Sequence, residues 1–400
     1  MRIIVYSHDA FGLGNIRRML AICQHLLATI PDLSILVLSG SPAIHSFRIP
    51  DRLDYIKLPC FGRDQNGQLG ARYLASGVSD TIRLRSNLIK TAVVDFQPDL
   101  VMVDKKPYGL LDELKPALDY LRFRSPMTKL VLLLRDILDD PTATIEDWKQ
   151  QGYYQAIQTY YDQVLVVGMP EIFDLAQEYQ FPNVIAQKTK FCGYIRKTFQ
   201  PSCPVSLRQQ LGVGETEKLV LVTPGGGGDG YCLVDTYLSA LEKKSLHQAI
   251  KSLIVFGIEM PESEKQILAQ KARQYPGVKT LDFTDDLMSY INASDLVVAM
   301  AGYNTITEIL SLHKRAVVVP RCKPSREQSI RAERMGQKGW FQSISLSDLT
   351  IDRLSQSIMH ELSQTNQLDL SDLNLNGLET IHSQVQLMIE HRRLTAYLTA

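Results

Sequence analysis

The sequence predicts an α/β protein of two domains, each built on a parallel sheet. Three observations predict it. Residues 296–328 read as strand, tight turn, helix, strand and polar loop, a βαβ unit of about 30 residues, and strands joined through a helix run parallel. An apolar strand that runs into a glycine-bearing loop and then a helix occurs twice, opening at Ile3 and at Lys218. The chain has 400 residues, long for one hydrophobic core and natural for two.

The composition bounds the function. Hydrophobic residues make up 45% and charged residues 22%, the balance of a soluble protein. Formal net charge is zero, which argues against a general nucleic-acid binder. The six cysteines, Cys23, Cys60, Cys192, Cys203, Cys232 and Cys322, form no CxxC pair and no Cys–His set at metal-ligand spacing. No zinc site or disulfide framework is expected, and most should be buried small hydrophobes of a reducing cytoplasm. The apolar start, residues 2–6, is too short for a signal peptide, and the run 130–134 is too short to span a bilayer. The expected location is cytoplasmic, with a peripheral contact to the inner face of the membrane left open.

In the first half, a strand at 3–7 leads into His8, Asp9, Gly12, Gly14 and Asn15, followed by a helix at 16–28. Strand, glycine loop and helix together bring free backbone N–H groups close to a ligand; a plain packing turn reads the same. Strands are expected at 34–38 and 55–58, a polar loop at 61–70, and a helix at 72–94 whose Arg83, Arg85 and Lys90 mark a solvated or acceptor-facing surface. The next two strands, 100–103 and 129–134, end in Asp104-Lys105-Lys106 and in Arg135-Asp136. Carboxyl ends of parallel strands are where such proteins place their sites, so Asp136 is a candidate base, or else a partner of Arg135 or a helix cap. Asp139-Asp140 before Pro141 reads as a cap. Strands at 163–167 and 184–191 complete the sheet, and the Pro- and Gly-bearing stretch 199–217 reads as the linker, with a short helix at 206–211.

The second half opens with a strand at 218–222, the loop Gly225, Gly226, Gly227, Gly228 and Asp229, and a helix at 231–243. Each glycine costs roughly 0.5–1 kcal/mol relative to Ala in regular structure, so the run implies that something approaches the backbone; a flexible turn is the alternative. Without Gly-Lys-Ser/Thr it is no P-loop, and it suits a diphosphate at a helix N-terminus. Strands follow at 252–256 and 279–283, the latter ending in Phe283-Thr284, and Asp285-Asp286 can cap a helix at 287–292. After the strand 296–299 come Gly302, Asn304 and Thr305, then a helix at 305–312 with Glu308 in its first turn. A carboxylate accepts two hydrogen bonds and a ribose hydroxyl pair donates two; favour from the helix dipole alone is the alternative. A strand at 316–319 stops at Pro320, and a polar loop holds Arg326, Glu327 and Gln328. A helix at 329–336, a strand at 340–343, a loose stretch at 362–376 and a last helix from Leu378 close the chain.

Ala301, Gly302, Thr305, Glu308, Pro320 and Gln328 together carry a resemblance. They resemble the donor half of glycosyltransferase family 28, which has the GT-B fold and includes the lipid II-forming N-acetylglucosaminyltransferase of peptidoglycan synthesis. The run GYNT…E…PR…EQ is similar to a bacterial branch of predicted glycosyltransferases. The resemblance implies two Rossmann-like domains facing across a cleft: an acceptor-side domain, 1–198, joined by a C-terminal helix, 378–400, that crosses back to it, and a donor domain, 218–377, after the linker 199–217. It implies that Gly225, Gly226, Gly227, Gly228 and Asp229 face the donor diphosphate. Phe283 and Thr284 would hold the base and Glu308 the ribose. Gly302, Asn304, Thr305, Arg326, Glu327 and Gln328 would contact sugar or phosphates.

Gly12, Gly14 and Asn15 would form the loop in the cleft. The family often ends this loop in His, and Asn15 cannot take a proton. The catalytic base is therefore expected at Asp9, then His8, then Asp136. The implied activity is transfer of a sugar from a nucleotide-diphosphate sugar, with UDP the expected nucleotide, to an acceptor hydroxyl. It would be inverting and metal-independent, with no cofactor and an acceptor the sequence does not identify. A nucleotide-sugar 2-epimerase and a non-catalytic sugar-nucleotide binder on the same fold remain open.

Overall fold

In the computed structural model the chain divides into two compact units, Met1–Ile195 with Asn376–Ala400, and Arg196–Leu375. The structure describes residues 1–8, 14–42, 44–63, 69–197, 202–243 and 250–399.

The first unit alternates strands and helices. In order they are β1 (Arg2–Ser7), α1 (Gly14–Thr29), β2 (Ser34–Ser39), β3 (Leu53–Lys57), β4 (Phe61–Arg63), β5 (Leu69–Ala71), α2 (Val78–Phe96), β6 (Leu100–Asp104), α3 (Lys115–Arg124), β7 (Lys129–Arg135), α4 (Pro141–Gln150), α5 (Tyr153–Tyr160), β8 (Gln163–Val167), α6 (Leu175–Glu178), α7 (Asn183–Gln187) and β9 (Thr189–Phe191). Seven strands form one sheet in the order β3-β2-β1-β6-β7-β8-β9, parallel throughout. Ile3, Ile4 and Val5 are fully buried, as are Val131 to Leu134, because helices cover both faces of such a sheet.

The second unit holds α8 (Pro204–Leu211), β10 (Lys218–Thr223), α9 (Tyr231–Lys243), β11 (Ile250–Val255), α10 (Glu262–Ala272), β12 (Val278–Leu281), α11 (Leu287–Ala293), β13 (Leu296–Ala299), α12 (Tyr303–Ser311), β14 (Ala316–Val318), α13 (Glu327–Gln337), β15 (Gln342–Ser343) and α14 (Ile351–Ser363). Its six strands are parallel in the order β12-β11-β10-β13-β14-β15. Counted within each sheet, the two orders begin 3-2-1-4-5-6, the doubly wound order that reverses beside its first strand. The switch points lie between β1 and β6 and between β10 and β13. The last helix, α15 (Gly377–Thr399), belongs to the first unit, where Gln163 Nε2 donates to Gln384 Oε1 at 2.7 Å and Arg392 pairs with Asp99.

Several local expectations change. The ends of the polar loop 61–70 pair antiparallel as β4 and β5, and residues 64–68 with Gly67 lie outside the described set. The helix expected from residue 72 begins at Val78. Residues 184–191 are not one strand: Pro182 opens the short α7, and only Thr189–Phe191 joins the sheet. The stretch read as linker carries α8, which belongs to the second unit; Arg208 on it donates to Ala293 O and pairs with Asp295 at 2.9 Å. The helix α14 went unread. Cys23, Cys60 and Cys192 are buried, whereas Cys203, Cys232 and Cys322 are exposed.

Arg85, expected on a surface, is buried. Its Nε and Nη2 donate to both oxygens of Glu113 at 2.5 Å, and the Tyr6 hydroxyl donates to Glu113 at 2.6 Å. Burial first, and the Glu113 carboxylate second, push the Tyr6 phenol well above its ordinary value. Removing one partner of a buried pair strands the other charge. Glu113→Ala should therefore cost about 3–5 kcal/mol of stability, read as a lower urea midpoint. A loss within about 0.5 kcal/mol, the range of ordinary surface substitutions, would show that this network does not hold the first unit.

Candidate functional site

In the second unit the two loops at the switch point meet. The glycine loop follows β10, and the Gly302 turn follows β13. A Cβ placed on Gly225 would lie 3.5 Å from Thr305 Oγ1, and one on Gly302 would lie 3.8 Å from the same oxygen. The Thr305 hydroxyl thus stands at the junction of both turns. Gly302 caps α12, so Tyr303, Asn304 and Thr305 form its first turn, where backbone N–H groups lack intrahelical partners. Glu308 follows Thr305 by three residues, on the same helix face. It sits in the second turn, not the first, because α12 begins two residues earlier than expected.

Backbone packing fixes the glycine loop. Gly227 has φ +94°, and a Cβ there would fall 2.3 Å from Phe256 O. Gly257, with φ +96°, would put its Cβ 2.5 Å from the carbonyl oxygens of Gly225 and Gly226. At Gly226 the nearest atom to an added Cβ is Glu259 Oε2, 2.7 Å away, the far end of a flexible side chain. The Glu259 carboxyl is raised from its ordinary value by burial and by Asp229, with Arg321 opposing.

Charge pairs close the rim. Arg321 donates to Asp229 at 3.0 Å and to Glu327 at 3.3 Å. Its backbone N–H donates to Gln328 Oε1 at 3.3 Å. Arg331, fully buried, donates to Ala301 O at 2.7 Å. Glu327 and Gln328, expected to touch sugar or phosphate, are buried, and their contacts with Arg321 hold the turn after β14; Arg326 is the N-cap residue of α13. Between the start of α9 and that turn lies a cavity of 390 Å³, its apolar wall including Leu233, Met300, Val319 and Leu346 and its rim including Asp229 and Arg321. Small-molecule sites begin at about 300 Å³.

Phe283 lies beyond the end of β12 and is 42% exposed. It is not a core residue. Thr284 Oγ1 accepts from the Asp286 N–H at 3.1 Å, and Asp286 caps α11.

In the first unit, Asp9 and Gly12 lie outside the described residues. His8 follows β1 directly and is 6% exposed, with Nδ1 lacking a partner among the described residues. Burial, then Lys105, Lys106, Arg85 and Arg135, push its imidazole well below the ordinary value. Gly14 opens α1. Asn15 donates to His8 O at 2.8 Å and accepts from Arg18 at 3.3 Å, and Arg18 pairs with Asp104 at 2.8 Å. Asp136 is buried and accepts from the Ile137 N–H at 2.8 Å. Asp140 caps α4.

Residues the sequence left unassigned take part. Arg321 had a signal, the Pro-Arg pair of its signature. Lys197 had none: it pairs with Glu308 from 111 positions away. Among the described residues no three His, Cys, Asp or Glu side chains are grouped as metal ligands, and no helix is long and apolar enough to cross a membrane.

Residues 219–385 match the model of the glycosyltransferase family 28 C-terminal domain. The chain is 26% identical over 203 residues to a UDP-N-acetylglucosamine–N-acetylmuramyl-(pentapeptide) pyrophosphoryl-undecaprenol N-acetylglucosamine transferase of Alkaliphilus metalliredigens, covering 49% of this chain and 55% of the relative. The chain spans about half the length of the curated relatives it matches. Among solved structures it is similar to MurG of Acinetobacter baumannii, with TM-score 0.58, 14% identity and coverage of 96% and 99% of the two chains. It is also similar to the UDP-GlcNAc 2-epimerase of Methanocaldococcus jannaschii, with TM-score 0.61, 9% identity and coverage of 96% and 99%. The fold is GT-B, two Rossmann-like units.

The buried His8 has a pH consequence. Its folded value is depressed, so the unfolded chain takes up a proton below about pH 6.5 while the folded chain does not. Stability from this residue is present above that pH and is lost as pH falls toward the folded value. The drop in urea midpoint between pH 7.5 and 5.5 should be smaller in His8→Asn than in the parent. Equal drops would mean that His8 is not held neutral.

Proposed function

We propose that this chain, whose second unit carries a glycosyltransferase family 28 C-terminal domain on a GT-B fold, transfers a sugar from a nucleotide-diphosphate sugar to an acceptor hydroxyl. One observation carries the reading: the glycine loop and the Thr305 hydroxyl meet at the switch point of the second sheet, with Glu308 one turn further along the same helix face. Such a crevice is where doubly wound proteins bind nucleotides. Glu308 is proposed to accept from the ribose, Thr305 and the loop N–H groups to bind the diphosphate, and Phe283 with Thr284 to hold the base. The named relative uses UDP-N-acetylglucosamine, which makes it the first donor to test. The same relative acts on an undecaprenol-linked substrate, so a lipid-linked acceptor at the inner face of the membrane is the first to try.

In the proposed reaction the acceptor oxygen bonds to the anomeric carbon as the bond to the diphosphate breaks, with inversion. The hydroxyl proton passes to a base of the first unit. Negative charge grows on the departing diphosphate, where oriented N–H groups stabilise it most. A metal ion is not required in this scheme. The base is proposed at the Asp9–His8 pair: a neutral imidazole can take the proton, and Asp136 is already engaged by a backbone N–H. The second reading, a 2-epimerase, has the likeness to an epimerase fold behind it. Product analysis separates them, since an epimerase converts donor alone.

A thermal-shift panel of nucleotide diphosphates and nucleotide sugars tests donor binding; ligand at 100 times its Kd should add about 2.7 kcal/mol. Glu308→Gln should keep its fold and lose roughly 1–3 kcal/mol of nucleotide affinity. Gly226→Val should also fold, because Glu259 can swing aside, and should no longer bind the diphosphate. Normal affinity in both variants would sink the site. Turnover should survive EDTA; loss with EDTA and recovery with magnesium would overturn the metal-independent scheme.

A further inference from the structure

The glycine loop has no cation of its own. The three turns around it, residues 223–230, 256–261 and 300–305, contain no Lys or Arg, and their charged residues are two acids, Asp229 and Glu259. Burial and Asp229 raise the Glu259 carboxyl, as expected of acids that share a small space. Backbone N–H groups alone would have to hold a diphosphate against both. Lys197 is paired with Glu308, and Arg331 is fully buried against Ala301 O. Among the described residues, the cation that contacts the loop is Arg321, which comes from the turn after β14.

Arg321 is fixed at its backbone and shared at its head. Its N–H donates to Gln328 Oε1 at 3.3 Å, and its carbonyl accepts from Ser329 Oγ at 2.8 Å. The guanidinium gives one N–H to Asp229 and one to Glu327. It has five to give, and among the described residues Nε is buried without a partner. The two acids do not hold it equally. Glu327 is 8% exposed and Asp229 is 37% exposed, and an ion pair open to water is worth little. A phosphate can therefore take the place of Asp229 while Glu327 keeps the arginine where it is. Arg321 and Asp229 both line the 390 Å³ cavity, which gives the phosphate room.

The direction of the loop says which phosphate. Gly225, at its start, lies beside Thr305, on the helix that carries Glu308 and the proposed ribose end. Asp229 and Arg321 stand at the other end. A diphosphate laid along the loop from the ribose brings its second phosphate, the one bonded to the sugar, to Arg321.

Resting on the donor-site reading above, we propose that Arg321 receives the leaving group: its guanidinium exchanges Asp229 for the β-phosphate of the donor and stays on it as the sugar departs. The bond between the anomeric carbon and the β-phosphate oxygen breaks and leaves its electron pair on that oxygen. The acceptor oxygen forms the new bond and gives its proton to the proposed base. Arginine supplies a permanent charge and parallel N–H donors suited to a phosphate, at the point where negative charge grows.

Calorimetric titration of the full chain with UDP and UMP tests this, since the two differ by the β-phosphate. The parent should bind UDP about tenfold or more tightly than UMP, the effect of a hydrogen bond between charged groups. In Arg321→Met, UDP should weaken about tenfold or more and UMP by less than about threefold, so that most of the preference is lost. Arg321→Lys, which keeps the charge and loses the fork, should fall between the two. A purely structural Arg321 would weaken both nucleotides alike and leave their ratio unchanged, and that result overturns the proposal. So does a parent that binds UDP no better than UMP. If Arg321→Met does not fold, Arg321→Gln, which keeps N–H donors for the two acids without the charge, takes its place. The same loss of preference is expected there, and an unchanged preference counts against the proposal. Failure of the parent to bind any nucleotide of the thermal-shift panel is a different result: it removes the donor-site reading, and this proposal falls with it.

Discussion

The glycine loop of the second unit depends on one close approach of backbone to backbone. The turn after β10 and the turn after β11 pack with no side chain between them: a Cβ on Gly227 or Gly257 would stand 2.3–2.5 Å from a carbonyl oxygen of the other turn. Both glycines have φ above +90°, where other residues are strained. The contact settles the loop's path, and the Glu259 N–H donating to Gly226 O at 2.8 Å fastens it. From there the loop reaches Thr305, and Asp229 at its end meets Arg321. A run of glycines often means mobility. Here it means that two turns had to share one space, and the loop is held ready where a diphosphate would need its N–H groups.

The first unit depends on charge in place of close backbone. At the switch point of its sheet, Arg18 and Asp104 neutralise each other in the interior, and Arg85 and Glu113 do the same beside Tyr6. Around them, Lys105, Lys106, Arg85 and Arg135 all act on His8. Asn15 does not behave as a residue waiting for substrate. Its amide spans His8 O and Arg18, tying the end of β1 to the first turn of α1. An amide can hold that bridge at every pH, which a histidine cannot. The position that often carries a base in the resembled family bridges strand end and helix in this chain.

The architecture was legible where pattern and physics coincide. Apolar runs flanked by glycine turns gave both parallel sheets, because strands buried on two faces carry continuous β-branched and leucine stretches. The turn after β13 was legible from Gly302, Thr305 and Glu308. Legibility failed where partners are remote. Nothing near Arg85 shows that it would meet Glu113, and nothing near Lys197 points to Glu308. Val184, Ile185 and Phe191 looked like a strand because composition cannot tell a short helix from a strand in so short a run. Glu327 and Gln328 were expected as ligand contacts from the resemblance; the ion pairs of Glu327 with Arg321 and Arg331, and the Arg321 N–H donating to Gln328, are tertiary facts that no local pattern shows.

The same fold is shared by a transferase and an epimerase at similar TM-scores, so the reaction has to be read from side chains. An epimerase must remove a proton from its sugar and deliver one back, which calls for an acid and a base on the same substrate. A transferase needs one base for an external hydroxyl. At the first switch point the described ionisable side chains are cations, a pair already spent on each other, a carboxylate bound by backbone, and one imidazole held neutral. A neutral imidazole among cations accepts a proton only into a site that resists keeping it, so it must hand the proton on to solvent. That suits a base used once per turnover and suits poorly an acid that has to stay charged. The charge pattern of the first unit therefore weighs toward the proposed transfer.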